Sequence, residues 1–388
     1  AGATSVIHSD GDIALNAGSA SLAGETSAGG KVAVKGDALH TATTSQLQGR
    51  DVTLEVQTAE LNGTQTAAAN LTMAARDSLT HTGKTSAGTL MADSTTLTNS
   101  GVLTANSLRL NAPNISNSGL LQGQTTLSLV ATLLDNQQSG MIYSPSALSF
   151  AIQDLRNAGI ITSDAALSLT GSQLTNGGEL SGKSLRLDVG SLNNASGGLL
   201  LAQEANAITA ASLTNAGTVA GNTLSLKADR LDSRGLLQGD TSLSMTTGML
   251  NLLAGSRSLT NGALTLSSTA LTTAGQVQGK NISLTADDWQ HGGTLLATGA
   301  LKATVGDALV ATGDIMSQGN LEVSAASLDN RGNLLSAGDV NLSGASVINS
   351  GVMQGNTLTA RADTLTNSGT LTGIAALTLA SRLEMAAP

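Results

Sequence analysis

Catalysis and metal binding ask for a few reactive side chains at close spacing, and this chain of 388 residues offers few candidates. Its histidines are His8, His40, His81 and His291. Zinc needs several ligands converging within about 2 Å of one ion. His40 and His81, 41 residues apart, do not meet that condition, and both are read as solvent-facing polar residues. Paired carboxylates could serve glycan cleavage, but Asp287 and Asp288 are adjacent and are expected on opposite faces of a strand. Asp10-Gly11-Asp12 resembles the start of a calcium loop without the Glu that would close it, and it is read as an ordinary turn. Serines are plentiful, yet none stands in a Gly-x-Ser-x-Gly elbow served by a His. The glycine pairs Gly29–Gly30 and Gly292–Gly293 lead into no helix, so they are not phosphate cradles. The expectation is no enzymatic activity, no cofactor and no metal.

Composition narrows the elements that could hold any site. There is one Trp, one Tyr and one Phe (Trp289, Tyr143, Phe150) beside 45 Gly, and charged residues make up 12%. Aromatic rings supply much of the area buried in a globular core, so a core without them is thin and aliphatic. The net charge of −9 with no basic cluster disfavours nucleic acid as a partner. Cysteine is absent, which removes disulfides and thiolate sites. No run of about 18 apolar residues is present, so no helix long enough to span a membrane is expected.

An internal repeat supplies the core. An apolar-x-apolar pair recurs from Ile13/Leu15 and Val32/Val34 through Leu224/Leu226 to Leu377/Leu379, about 20 copies at a spacing of ~19 residues. From residue 97 a second motif, Leu-x-Asn-x-Gly-x-aliphatic, precedes the pair by 11 or 12 residues, as at Leu97, Ile115, Leu174, Leu213, Val347 and Leu365. Each unit therefore holds three short alternating segments, which put aliphatic side chains on one face and Ser, Thr or Gln on the other. Stacked units make an all-β parallel solenoid with three parallel sheets.

The asparagines of the motif are expected at corners of positive φ, where Asn and Gly are tolerated, with their amides stacked into a hydrogen-bonded ladder. They are Asn99, Asn117, Asn136, Asn157, Asn176, Asn194, Asn215, Asn330, Asn349 and Asn367. Two regions depart from the pattern. Residues 1–96 keep the apolar pair but lack the Asn corner and are read as variant repeats, continuous with 97–388 as one rod. Residues 231–313 replace the Asn with Ser233, Leu252, Thr273, His291 and Ala311, and Trp289 replaces the leading Leu. Trp289 and His291 are singled out there as a candidate partner patch.

The stretches LTNSGVLTANSLRLNA, LTNAGTVAGNTLSLKA and LTNSGTLTGIAALTLA closely resemble the filamentous-haemagglutinin repeats of two-partner secretion exoproteins, especially the contact-dependent growth inhibition effectors of Gram-negative bacteria. That resemblance implies a right-handed β-helix shaft in a secreted cell-surface protein. It also implies an outer-membrane transporter and a target-cell receptor, both engaged through other segments, and a C-terminal toxin. Filamentous adhesins and haemolysin-type exoproteins share the repeat, and an adhesin binding host surfaces is the alternative. A glycan-binding or glycan-cleaving protein on the same fold is a further one. Ala1 and Pro388 match no natural boundary, so the chain reads as a slice of a longer rod whose terminal turns fray or associate end to end.

Overall fold

A computed structural model describes residue 2 and residues 4–381. These residues fold as an all-strand, right-handed parallel solenoid of about 20 turns of ~19 residues. The described residues fall into two compact units, one running to residue 192 with 198–200, the other comprising 193–197 and the residues from 201 onward. Ala1 and Pro388, on which the expectation about the ends was placed, lie outside the described residues.

Every turn has three strand segments, and each pairs in parallel with its counterpart a turn away. In the first unit one ladder stacks Leu103, Leu121, Ile142, Ile161 and Leu180, all fully buried. In the second unit the apolar pair stacks Leu224, Leu243, Leu264, Ile282 and Leu301 in the same way. Alternation does the sorting, since residues i and i+2 point inward together and their neighbours face water. Each buried aliphatic contributes about 1.5–3 kcal/mol, so the core accumulates turn by turn.

The three ladders are less separate than three discrete sheets. Several strands continue through a corner, and Thr64–His81 occupies 18 residues. The ladder absorbs the corner as a local register shift, as between Ala67 and Asn70 and between Ala75 and Ser78.

One expectation about conformation is corrected. No non-glycine residue has positive φ among the described residues, and the positive-φ glycines are Gly197 and Gly255. The corner asparagines therefore owe nothing to left-handed backbone. Leu377 and Leu379 stack in register on the buried Leu358 and Ala360, on the inward columns. The equivalent Leu226 and Leu342 are buried.

Candidate functional site

In each unit the corner-motif residues line an inward-facing, largely polar column beside the Gly corner. In the first unit it runs Thr41, Leu61, His81, Asn99, Asn117, Asn136, Asn157 and Asn176, each in register with the next. In the second unit Asn215 is followed by Ser233, Leu252, Thr273, His291, Ala311, Asn330, Asn349 and Asn367. Asn367 is exposed and the other asparagines are buried.

The amides bond in one direction. Nδ2 of Asn99 donates to Oδ1 of Asn117 at 2.8 Å, Asn117 to Asn136 at 2.9 Å, Asn136 to Asn157 at 2.8 Å and Asn157 to Asn176 at 2.8 Å. In the second unit Asn194 donates to Asn215, Asn330 to Asn349 and Asn349 to Asn367. The second amide proton reaches main-chain carbonyls, as from Asn117 to Gly119 at 3.0 Å. A buried carboxamide costs little only when its groups are paired, and the turns satisfy one another.

Both buried histidines are column members; this corrects the reading of His81 as solvent-facing, while His291 stands at the corner position of the Asn it replaces. His81 Nδ1 lies 2.8 Å from Asn99 Oδ1. Asn99 Oδ1 can only accept, so the proton is on Nδ1, and Nε2 accepts from Thr85 Oγ1 at 2.9 Å. Thr85 has then used its proton, and its 2.7 Å contact with the Gln65 carboxamide is satisfied when the Gln65 nitrogen is the donor. That orientation also pairs the Gln65 N–H that is otherwise orphaned. His291 is the opposite tautomer. Trp289 Nε1 donates to Thr273 Oγ1 at 2.8 Å, and Thr273 donates to His291 Nδ1 at 2.7 Å. His291 Nε2 is left to donate to the Asp314 carbonyl at 3.0 Å. Burial pushes both imidazoles below the ordinary 6.5, opposed for His81 by its bond to Asn99 and for His291 by Asp314.

Trp289 and His291 are therefore structural and inward, at 0% and 2% exposure, and present no patch to a partner. They fill the turn where Thr273 and Ala311 provide less bulk than Asn. Ala311 offers no donor, and Asn330 Oδ1 is consequently unpaired.

The remaining candidates stay apart. His8 bonds Ser27 and His40 bonds Glu60 at 2.9 Å, both at the exposed surface. Asp12 accepts the Lys31 N–H at 2.7 Å, joining two turns. Asp287 and Asp288 both face water, not opposite sides, because a register shift between Ala286 and Trp289 interrupts alternation. Among the described residues no group of three or more His, Asp or Glu is arranged to hold a metal ion, and no helix is long and apolar enough to cross a membrane. Sequence reading missed His81, although LTHTG at 79–83 carries the corner motif with His in place of Asn.

Glycine lines the column for a separate reason. A Cβ on Gly101 would fall on the carbonyl oxygen of Gly83, one on Gly119 on that of Gly101, and one on Gly351 on that of Gly332. Stacked corners approach too closely for any side chain.

No family model and no solved structure matches the chain. Curated proteins do match. The 16S rRNA endonuclease CdiA of Enterobacter cloacae subsp. cloacae is 58% identical over 340 residues, covering 88% of this chain and 10% of that protein. Toxin CdiA of Escherichia coli is 45% identical over 385 residues, 99% of this chain and 11% of the relative. A tRNA nuclease CdiA of Escherichia coli strain 536 is 44% identical over the same length and coverage. The chain spans about a tenth of the length of these relatives. Their names overturn the expectation of no enzymatic activity: two of the three relatives are named as nucleases. The resemblance read from the LTNSG repeats holds, and the chain is a stretch of CdiA-type sequence, homologous to contact-dependent growth inhibition effectors over most of its length.

Proposed function

We propose that this chain forms part of the shaft of a large secreted exoprotein on the Gram-negative cell surface. The shaft presents a distal receptor-binding or toxin domain, nuclease in kind after the names of the relatives, to neighbouring cells. Export through an outer-membrane two-partner transporter and engagement of a target-cell receptor belong to other segments of that protein. Variant repeats in 1–96 and Asn-corner repeats in 97–388 serve the same spacing role. The observation that carries this reading is the turn-to-turn satisfaction of the polar column, in which Asn99 through Asn176 spend their hydrogen bonds on each other. A structure stabilised by its neighbours in this way adds length in whole turns.

The test uses the whole exoprotein in a co-culture inhibition assay, with surface display followed by antibody. Residues 274–330, three turns between the in-register Thr273 and Asn330, are replaced by three foreign turns of the same repeat. Inhibition should persist at unchanged display. Loss of inhibition with display intact would sink the spacer reading and place a target contact within the replaced turns.

A further inference from the structure

The outer face of the first unit carries a pattern that the shaft reading does not use. On the ladder that follows the Gly corner, one outward column reads Lys84, Val102, Leu120, Met141, Ile160 and Glu179 in consecutive turns. Four outward aliphatic side chains follow one another, Val102 and Leu120 half-buried, Met141 37% and Ile160 40% exposed. Runs of that kind on a soluble surface mark contact sites. Elsewhere the same column is mostly polar, as in Arg257, Gln276, Thr294, Asp314 and Asn333 of the second unit. Two residues along each strand, a second outward column reads Ser86, Thr104, Gln122, Tyr143, Thr162 and Ser181.

Both columns are palindromic in chemistry about the gap between the Leu120 and Met141 turns. A two-fold axis along the strands at that gap reverses the order of turns and keeps each column facing itself. It sets Lys84 against the partner copy's Glu179, Val102 against Ile160 and Leu120 against Met141. In the second column Ser meets Ser, Thr meets Thr, and Gln122 meets Tyr143. An isologous contact requires this self-complementarity. A parallel pairing would instead set Lys84 on Lys84 and Glu179 on Glu179.

We infer that this face is an antiparallel homodimer interface, its occupant a second copy of the chain. Six turns spaced by about 4.8 Å and a strand width of about 13 Å give roughly 300 Å² per copy. The total of about 600 Å² falls below the ~1,000 Å² that a stable interface clears, so the pairing is a weak contact, negligible in dilute solution and populated only where copies are crowded.

The chain has no cysteine, which allows clean single-thiol probes on the full chain. Val102→Cys and Ile160→Cys, mixed at high concentration with a short bis-maleimide, should cross-link well above a Val102→Cys and Asn341→Cys control mixture. Val102→Cys alone should stay near the control level, because its two copies would be offset by three turns, about 14 Å. Equal cross-linking by Val102→Cys alone would overturn the antiparallel register, and control-level yields in every mixture would overturn the interface. Lys84→Glu should weaken dimerisation in sedimentation equilibrium by on the order of tenfold, since like charges then meet at two symmetric places. Lys84→Glu with Glu179→Lys should restore it. Failure of the double swap to rescue a weakened single variant would also overturn the pairing.

Discussion

Asn136 accepts a hydrogen bond from Asn117 and donates one to Asn157, so truncating it strands two groups in the core at once. Each orphaned buried polar group costs about 1–3 kcal/mol. Asn136→Ala should lower stability by about 2–6 kcal/mol in urea titration, whereas Asn367→Ala, at an exposed position where it only accepts from Asn349, should cost about 1 kcal/mol. The histidines add a pH dependence. Burial holds His81 and His291 below 6.5 in the folded chain, so on acidification the unfolded chain takes up these protons first. Stability present above pH 6.5 is then lost as pH falls toward the lower folded values. The melting temperature should be flat above pH 7 and decline between pH 6.5 and 5, and His81→Asn should shallow that decline. Repetition made the asparagines legible, because each copy of Leu-x-Asn-x-Gly reports the same environment. His81 was not read as a member of the column, because a polar residue met once at a position carries no period of its own.

Three segments per turn, separated by corners, could be read from alternation because inward and outward positions differ in hydropathy. What the corners demand could not. Gly101 and its equivalents suggested positive φ, yet the requirement is closeness of stacked backbone, with the carbonyl of Gly83 where a Cβ would sit. That distance is set between turns and has no local sequence signature beyond the glycine itself. Gly101→Ala should therefore cost about 1–3 kcal/mol through forced backbone shifts. Gly11→Ala, where the nearest atom is 3.8 Å from a built Cβ, should be within about 0.5 kcal/mol of the parent. Matching urea midpoints for the two variants would show that the corner gives way without strain.

At the scale of the whole molecule, stability is distributed among neighbours. Leu226 stacks on Ile208 and Met245 and is buried, while Ser225 beside it faces water. Leu226→Asp places an unpaired charge in a dry core, at a cost of several kcal/mol, but the turns that feel it directly are those in contact with it. Hydrogen exchange should show protection lost in the segments around Ile208, Leu226 and Met245, and the effect should decay over successive turns of the second unit. Amides of the first unit, such as those of Leu103, Leu121 and Ile142, should exchange as before. Ser225→Asp should leave the exchange pattern nearly unchanged. A uniform loss of protection in both units would mean that the chain unfolds as a single cooperative block, so that local damage to one turn is felt by all. Decay within a few turns would explain how such a repeat tolerates drift at Ser233, Leu252 and Ala311: each substitution is felt mainly by the turns it touches.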